Sequence, residues 1–347
     1  MSDPRPFLPA ATPLLHRGAD GLQVGGVDST DGLLVQPPPA GLARLLRGLD
    51  GRRVQHAVLA DATRSGLDGA AVTAVLEGLR DAGLLVDADA GDLLATDAGP
   101  AAAARAAVEL AAPGGWRARR AATVVVEGAT RVGVPLAAVL GASGIGRVSV
   151  RDPGLTTAED AVVGGLAAGD EGRPRALAAA DAVRRASPLT DLRPLPDGVR
   201  PDLVVLTRPW AASDPAVGGL QRDGVPHLVA TVRGATGIVG PLVVPGATSC
   251  LRCADLHRRD ADPAWPQLAA QLTAGQVPAS GATVTCLLTA VTAAVQVLAF
   301  VDRSAAPVTL GGTLELVPPD LAARVRRWPP HPECGCAAAG GAPDRGE

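Results

Sequence analysis

The stretch Thr123–Asp152 decides the fold and reads T-V-V-V-E-G-A-T-R-V-G-V-P-L-A-A-V-L-G-A-S-G-I-G-R-V-S-V-R-D. It opens on the β-branched run Thr123–Val126, which predicts a short buried strand. The apolar segment Val134–Leu140 predicts a helix, and Arg147–Val150 predicts a second strand that closes at Asp152. A strand, a glycine turn, a helix and a second strand followed by an acid form the layout of a dinucleotide-type βαβ unit. The stretch therefore predicts an α/β fold.

The glycine pattern inside this stretch is incomplete. A G-x-G-x-x-G fingerprint needs its middle glycine because the backbone has to approach a phosphate there. Gly128 and Gly133 bracket the turn, but Thr130 stands at the middle position beside Arg131. A β-branched side chain obstructs that approach. These residues predict the fold without predicting a bound nucleotide.

Composition excludes several classes of protein. The chain has 347 residues, is 47% hydrophobic and carries a net charge of -3, so nothing in its charge favours nucleic acid. We find no signal-peptide core after Met1 and no apolar run that we judge long and charge-free enough to span a bilayer. We therefore expect a cytoplasmic protein with no membrane contact, whose cysteines are reduced or bound to a metal.

Residues 1–97 predict a small winged-helix-like domain of the α+β class. A hairpin comes first, because Leu14–Arg17 and Leu22–Gly26 flank a G-A-D-G turn, and Leu33–Val35 adds a third strand. Apolar residues at helical spacing then predict three helices. These helices and the wing that follows them are expected at Gly41–Leu49, at Val54–Thr63, after a capping Asp68, and at Leu84–Val86 with Asp92–Ala95.

The third of these helices bears on DNA binding. It carries Asp68 and Glu77 where a DNA-reading helix would carry Arg and Asn. We therefore predict a peptide-binding or structural role for this domain, and a winged-helix DNA-binding regulator is the second alternative.

The remainder of the chain predicts a connector and one large domain. Residues 98–121 are alanine-rich and contain W-R-A-R-R at Trp116–Arg120, which indicates a linker with a helix over Ala101–Ala111. Residues 122–347 predict a Rossmann-like domain with antiparallel additions. After the βαβ unit, helices are expected at Arg173–Arg185, Asp214–Asp223 and Thr283–Asp302, and strands at Leu203–Leu206, Pro226–Ala230, Thr236–Val239, Leu242–Val244 and Val308–Val317.

Four of the five cysteines form two close pairs. Cys250 and Cys253 make a C-x-x-C, and Cys334 and Cys336 make a C-x-C. Four thiolates suit Zn²⁺, which takes four ligands in a tetrahedron and favours sulfur. We predict one structural zinc site that pins the C-terminal tail to the domain, with free or disulfide-bonded cysteines as the alternative.

The sequence also contains two histidines that could be ligands, and a fifth cysteine outside the two pairs. His331 or His257 is an alternative to one cysteine ligand. Cys286 lies in an apolar helical pattern without a nearby charge to lower its thiol pKa, which predicts a buried structural cysteine.

The order of these motifs is similar to that of the ThiF/MoeB/HesA family, the bacterial relatives of ubiquitin-activating enzymes. The resemblance rests on the strand–glycine loop–helix–strand unit, a G-R-P-x-A helix, an A-x-x-R-G-x-x-G-x-V-G hairpin and the cysteine pairs. It covers most of residues 122–336, in the stretches Val124–Asp152, Gly172–Ala186, Asp202–Leu206, Val225–Cys253 and Ala282–Phe300.

The resemblance implies a nucleotide site, because family members adenylate a C-terminal carboxylate with ATP and Mg²⁺. Asp152 matches the family's ribose-binding acid, and Arg175 stands where the family has Lys. The second acid falls on Gly154, the S-N-L-x-R-Q stretch on Ala158–Val163, and the D-A-T-D motif on Leu206–Pro209. With these parts lost, Gly128, Gly133, Asp152 and Arg175 form only a remnant site, and we predict that ATP and Mg²⁺ are not cofactors.

A narrower resemblance is consistent with the loss of the nucleotide-binding residues. A winged-helix-like module ahead of a degenerate ThiF-like domain resembles the leader-peptide-binding partner of thiazole/oxazole-modified peptide biosynthesis, in which a YcaO-type enzyme carries out the ATP chemistry. The resemblance implies a precursor leader peptide bound as an added strand, and a homodimer. The expected peptide surface is the edge of Leu22–Gly26 with the face of Val72–Leu79, represented by Leu22, Val24, Val72 and Leu76. An active adenylyltransferase is the first alternative.

Overall fold

The computed structural model describes residues 3–18, 20–27, 32–88, 114–196, 198–273 and 281–336. The chain divides into two compact units, Met1–Ala118 and Arg119–Glu347, and the division falls within the segment interpreted above as a linker. The helix expected over Ala101–Ala111 lies outside the described residues.

The N-terminal unit is built around a three-stranded antiparallel sheet. Its strands are β2 (Leu14–His16), β3 (Leu22–Val24) and β4 (Leu33–Val35), in the order β2-β3-β4. The predicted hairpin and third strand are therefore confirmed. A separate antiparallel pair joins β1 (Pro6–Phe7) to β5 (Val86–Asp87).

Three helices pack on this sheet and complete a small apolar core. They are α1 (Leu42–Arg47), α2 (Gln55–Arg64) and α3 (Gly69–Asp81). Asp68 caps α3 as predicted, because its carboxylate accepts a hydrogen bond from the Ala70 N–H at 3.0 Å. The first part of the expected wing pairs with β1 instead, and Asp92–Ala95 lies outside the described residues. The winged-helix assignment therefore stays a prediction.

The residues expected to bind a peptide lie inside this unit. Leu22 is 1% exposed, and Val24, Val72 and Leu76 are 0% exposed. Strand β3 is the central strand, with β2 on one side and β4 on the other, so its backbone offers no free edge. The four residues are part of the core of this unit rather than an exposed surface, and the position of the peptide site stays a prediction.

The C-terminal unit contains a seven-stranded mixed sheet in the order β12-β11-β10-β9-β8-β6-β7. Strands β7, β6, β8 and β9 run parallel, and β9 to β12 pair antiparallel. The bounds are β6 Thr123–Glu127, β7 Arg147–Arg151, β8 Leu203–Leu206, β9 His227–Arg233, β10 Thr236–Val243, β11 Gly312–Val317 and β12 Ala322–Arg327. This is the Rossmann-like sheet with antiparallel additions that the sequence predicts.

Helices surround this sheet. Their bounds are α5 Gly133–Ala142, α6 Arg175–Ala186, α7 Pro215–Arg222, α8 Leu251–Ala261, α9 Trp265–Thr273 and α10 Thr283–Asp302. Helix α4, Gly114–Ala121, spans the division between the two units. Helix α5 is apolar almost all round, because it packs against β6 and β7 as well as against α6 and α10. The βαβ unit therefore forms the centre of the main core.

Helix α10 corrects one sequence expectation. It has 20 residues and a mean hydropathy of 2.2, so by length and composition it is able to cross a membrane. The expectation that no apolar run is long enough was therefore wrong. The helix contacts α5, β9 and β10, and its buried residues include Ala290, Ala293 and Val297. These contacts are those of a core helix.

Several elements differ from the expected ones. The two short strands expected around Gly240 are one strand, β10, whose register against β9 shifts between Val239 and Leu242. Helices α8 and α9 and strand β12 were not predicted. Their own sequences are polar or arginine-rich, so the apolar periodicity that predicts an element is weak in them.

Candidate functional site

The four paired cysteines meet at one point of the C-terminal unit, which we call the cysteine centre. Cys250 precedes the first residue of α8 and Cys253 lies in its first turn, while Cys334 and Cys336 follow strand β12. The Sγ atoms of Cys250 and Cys334 are 3.5 Å apart, as are those of Cys253 and Cys336. All four Sγ atoms lie within 4.8 Å of one another.

This geometry fits a tetrahedral metal. Zn–S bonds of about 2.3 Å place sulfurs about 3.8 Å apart in a tetrahedron, which lies within the observed range of distances. Burial raises the pKa of the Cys250 and Cys253 thiols, so these groups do not ionise readily by themselves. A cation that replaces their protons would allow four sulfurs to share this space. The cysteines therefore form a candidate metal centre consistent with zinc.

Neither histidine alternative takes a ligand position. His331 Nε2 is 2.8 Å from Asp260 Oδ2, and its Nδ1 accepts a hydrogen bond from the Glu333 N–H at 3.1 Å. His257 Nε2 bonds the Pro329 carbonyl at 3.0 Å. The His331 backbone N–H donates to Cys253 Sγ at 3.4 Å, so this segment supports the cysteine centre.

Cys286 lies apart from the centre. It is 1% exposed on α10, and burial raises the pKa of its thiol. The prediction of a buried structural cysteine is confirmed.

A cavity of about 570 Å³ opens at the carboxyl ends of the parallel strands β6, β7 and β8. We call it the strand-end pocket. Its lining includes Thr130, Arg131, Asp152, Arg175, Arg208 and Trp210. Ligands of open α/β sheets bind at this end of the strands, so the pocket is where a nucleotide would be expected.

Asp152 is fully engaged within the chain. Its Oδ2 accepts the Ala129 N–H at 2.9 Å and lies 2.6 Å from Arg208 Nη2, and its Oδ1 accepts the Gly154 N–H at 2.9 Å. Burial alone would raise the pKa of this carboxyl, but the Arg208 guanidinium and the two backbone N–H groups hold it below its usual range. Each oxygen of Asp152 therefore already has a donor within the chain, although a carboxylate can accept about four hydrogen bonds.

Arg208 also covers the glycine turn. Gly128 has a φ of 108°, and a Cβ added there would lie 3.0 Å from Arg208 Cγ and 2.7 Å from Thr207 Oγ1. A Cβ on Gly133 would collide with the Gly128 carbonyl oxygen. Both glycines are therefore required by the turn itself, without reference to a ligand.

Thr130 lies in the turn before helix α5 and accepts hydrogen bonds from the backbone at the start of the helix. Its Oγ1 accepts the Gly133 N–H at 2.9 Å and the Val132 N–H at 3.3 Å, and its carbonyl accepts the Val134 N–H at 3.1 Å. The N-terminal N–H groups of a helix are the groups that bind a phosphate in nucleotide-binding proteins. In this chain the Thr130 hydroxyl oxygen takes the place that a phosphate oxygen would have at the start of α5.

Arg175 is paired as well. Its Nη2 and Nε lie 2.6 and 3.1 Å from Asp160 Oδ2, and Asp160 also accepts the Thr157 N–H at 2.8 Å. Of the four remnant residues, Asp152 and Arg175 line the pocket and are paired within the chain, whereas Gly128 and Gly133 lie in the turn next to Thr207, which also lines it.

Two buried N–H groups of the pocket have no hydrogen-bond acceptor among the described residues. Arg131 donates through Nη1 to the Gly281 carbonyl at 2.9 Å and through Nη2 to Thr283 Oγ1 at 2.8 Å, but its Nε has no acceptor among the described residues. The indole N–H of Trp210 likewise has none. The cavity has room for waters that would accept these hydrogen bonds.

Sequence reasoning missed the partners in this pocket. Arg208 was noted only as lacking the acid expected at its position, and Asp160 only as a mismatch. One signal was present in the strand order. Strands β7 and β8 flank β6, so the residues that follow these strands meet at the same edge of the sheet. Arg208 after β8 therefore lies close to Asp152 after β7.

The mixed sheet, its order and the cysteine centre define a Rossmann-like fold of the ThiF type. Solved structures with this fold include the microcin C7 biosynthetic enzyme MccB in complex with N-formylated MccA, at 14% identity, with a TM-score of 0.63 and coverage of 96% of this chain and 99% of that chain. E. coli MccB with ATP matches at 15% identity and a TM-score of 0.64, over 95% of this chain and 98% of that chain. PaaA matches at 16% identity and a TM-score of 0.58, over 91% and 98%.

No family model and no curated protein matches the chain. At identities of 14–16% the structural likeness establishes the fold alone. The ThiF-type fold expected from the sequence is thus confirmed.

Proposed function

We propose that the protein is a non-catalytic scaffold of thiazole/oxazole-modified peptide biosynthesis. It binds the leader segment of a precursor peptide and presents the peptide to a separate YcaO-type cyclodehydratase. The observation that supports this most directly is the internal pairing of the groups that a nucleotide would use: Asp152 with Arg208, Arg175 with Asp160, and the N-terminus of α5 with Thr130. A chain that fills these positions itself leaves the ATP chemistry to another protein.

The structural neighbours supply both a reason for this proposal and a reason to test it. MccB has been solved in complex with N-formylated MccA, so a peptide partner is compatible with this fold. E. coli MccB has also been solved with ATP, so nucleotide binding has to be measured directly in this chain.

The decisive test is nucleotide binding by the full chain, with E. coli MccB as the positive control. Millimolar Mg-ATP should shift the melting temperature of this protein by less than about 1 °C, because a ligand stabilises only above its dissociation constant. Pyrophosphate exchange with carboxylate-ended peptides should stay at background. A clear shift that disappears in Asp152→Ala, or measurable exchange, would instead establish an adenylyltransferase.

We propose that the peptide binds at the outer edge of β4, which pairs only with β3 among the described strands. Hydrogen bonds from Arg17 N–H to the Gly21 carbonyl and from Gly25 N–H to the Pro13 carbonyl, both 2.9 Å, fix the ladder between β2 and β3. Antiparallel ladders alternate, so the backbone groups of Gln23 point towards β2. Those of Leu34, which lies opposite Gln23, therefore point away from β3 and are open to an added strand.

Helix α3 forms the neighbouring wall of this position. A Cβ added to Gly78 of α3 would lie 3.4 Å from a methyl carbon of Leu33, so the helix packs closely on β4. Leu34, the next residue of the strand, points to the opposite face of the sheet and is 42% exposed. A strand edge with a helix alongside gives a peptide both backbone hydrogen bonds and an apolar contact.

A pair of matched substitutions tests this edge. Leu34→Pro removes the outward N–H of β4, and His16→Pro removes the corresponding N–H of the opposite edge strand, β2. Binding of a labelled precursor leader, encoded beside the gene, should weaken by about tenfold or more in the first variant and by less than about twofold in the second. The reverse result would move the site to β2, and equal losses would exclude strand addition.

The remaining parts of the proposal are zinc as the metal of the cysteine centre, a cytoplasmic location and a homodimer. An apolar stripe on α10 supports the homodimer: Val284, Val291 and Val295 are 66%, 47% and 55% exposed. Next to it, Val163 is 72% exposed in a groove that Val291 and Pro135 also line.

Light scattering tests the homodimer. The double substitution Val291→Glu and Val295→Glu should yield monomers, because charges on an apolar interface oppose its burial. The control is Val199→Glu, since Val199 is a valine that is 52% exposed elsewhere in the unit. A monomeric wild-type protein would remove the dimer from the proposal without affecting the peptide site.

A further inference from the structure

Strand β12 is an unusually open edge of the seven-stranded sheet. All six residues of Ala322–Arg327 are exposed, and among the described strands β12 pairs only with β11. Its outer backbone N–H and C=O groups therefore face away from the sheet. Because side chains alternate along a strand, Arg324 and Arg326 share one face, whereas Val325 lies on the other face, opposite Leu314.

Three arginines and two tryptophans stack next to this strand. The Arg258 guanidinium lies 5.1 Å from the Trp265 ring centroid and 4.4 Å from that of Trp328. Arg326 lies 4.4 Å from Trp328, and Arg233 lies 5.4 Å from Trp265. These contacts join β9, α8, α9 and β12 in one layer. We call Arg233, Arg258, Arg324, Arg326, Trp265 and Trp328 the cationic face.

The cationic face carries more positive than negative charge. Its nearby acids are Asp255 and Glu315, set against four arginines. Asp255 is already shared among Arg258 at 3.0 Å, the Trp265 indole N–H at 3.1 Å and the Ala212 N–H at 2.8 Å. Glu315 lies 3.9 Å from Arg326. This local excess stands out in a chain whose net charge is -3.

The arginines of the cationic face also repel one another electrostatically. Burial lowers the pKa of Arg258 to about 10, and the like charges of Arg233 and Arg326 act in the same direction. Arg324 makes no ion pair or side-chain hydrogen bond with the residues that the structure describes, and Glu315 is its cross-strand neighbour. Negative charge from outside the chain would relieve this repulsion.

We propose that the cationic face and the free edge of β12 form a docking site for an extended acidic segment of a partner protein, which adds to the sheet beside β12. Backbone hydrogen bonds to the open edge would hold the segment, and its Asp or Glu side chains would alternate towards Arg324 and Arg326. The site lies in the C-terminal unit and is separate from the β4 edge.

A protein segment fits this surface better than a nucleic acid does. Single-stranded nucleic acids are held largely by bases that stack on exposed aromatic rings. Trp328 is 2% exposed, and the guanidinium groups of Arg258 and Arg326 already lie over its ring. The open ladder of β12 offers alternating N–H and C=O groups, which another polypeptide strand complements.

The test uses the full chain and a fluorescein-labelled peptide of about ten residues in which Glu and Val alternate. Its matched probes replace Glu by Lys, methylate every second backbone nitrogen, or substitute an oligothymidylate of similar length. The acidic peptide should bind about tenfold tighter than the lysine peptide, and N-methylation should remove most of this binding. Raising the salt from about 50 to about 300 mM should weaken it.

Charge reversal locates the site. Arg324→Glu should weaken binding of the acidic peptide by about tenfold. Its melting temperature should fall only slightly, because the Arg324 side chain makes no hydrogen bond or ion pair with the described residues and the new carboxylate faces only Glu315 across the ladder. The control Arg222→Glu makes the same charge change at the exposed end of α7 and should alter affinity by less than about twofold.

Three results would overturn the proposal. They are equal effects of the two arginine variants, equal binding of the acidic and lysine peptides, or an N-methylated probe that binds as well as its parent. Tighter binding of the oligothymidylate, lost in Arg324→Glu, would assign the face to nucleic acid instead.

Discussion

The cysteine centre and the strand-end pocket gather buried polar groups in opposite ways. In the centre like groups are crowded together, since the Sγ atoms of Cys250 and Cys334 are 3.5 Å apart and burial raises the pKa of Cys250. In the pocket two carboxylates meet guanidinium groups, since Asp152 lies 2.6 Å from Arg208 and Asp160 lies 2.6 Å from Arg175. Crowded like groups need a ligand from outside, whereas complementary groups satisfy one another. The comparison separates a candidate metal site from a pocket in which two ion pairs form within the chain.

Loss of the metal should have the largest effect on this comparison. Cys253→Ser removes one ligand, and because metal binding and folding are linked, we expect the melting temperature to fall by roughly 10 °C. A chelator should produce a similar fall in the wild type and almost none in the variant. Mass spectrometry should find one zinc per wild-type chain.

Cys286→Ala is the matched control, since Cys286 is buried away from the centre. Its response to the chelator should equal that of the wild type. Metal-free wild-type protein that melts at the same temperature as the zinc-loaded protein would mean that the crowded sulfurs need no ligand, and the comparison would fail.

Opening the ion pair of the pocket should have an intermediate effect. Asp152→Asn leaves Arg208 without its partner, but that arginine is 44% exposed, so we expect the melting temperature to fall by only about 3–5 °C at neutral pH. Asp152 has a lowered pKa in the folded state. Its contribution is therefore fully present above the unfolded value of about 4 and is lost as the pH falls through the lower folded value.

The pH series supplies the check on this prediction. The melting curves of the wild type and Asp152→Asn should converge progressively below about pH 4, whereas the difference should be constant between about pH 5 and pH 8. A difference that grows on acidification would show that Asp152 does not act as an ionised partner of Arg208.

The smallest expected effect is the partial reopening of the pocket. The double variant Thr130→Gly and Arg208→Ala frees the N-terminus of α5 and one acceptor position of Asp152. Millimolar ADP should then raise its melting temperature by about 2 °C, compared with no shift in the wild type or in Arg222→Ala. If ADP does not raise the melting temperature of the double variant either, internal pairing is not what excludes the nucleotide.

The sequence predicted the elements whose patterns are local. The β6–α5–β7 unit and α10 follow from β-branched runs and helical spacing within a few turns of chain, and their observed bounds lie close to the expected ones. The cysteine centre was equally accessible, because two short cysteine motifs with one metal geometry leave few arrangements.

The sequence failed where the outcome depends on distant parts of the chain. The pair Asp152 and Arg208 joins two loops that become neighbours only through the strand order. Strand β12, A-A-R-V-R-R, has no buried face and hence no apolar alternation to detect. The apolar positions Leu22 and Val72 were recognised, but a pattern of apolar residues does not show whether they face a core or a groove.

The positions of the four cysteines also determine how this unit responds to damage. Cys250 and Cys334 are 84 residues apart, and the chain between them contains α8, α9, α10, β11 and β12. With a metal bound, this segment becomes a closed ring. A single proteolytic cut between Cys253 and Cys334 opens the ring but leaves both fragments tied to the same ion, so they should separate only after a denaturant and a chelator are added together.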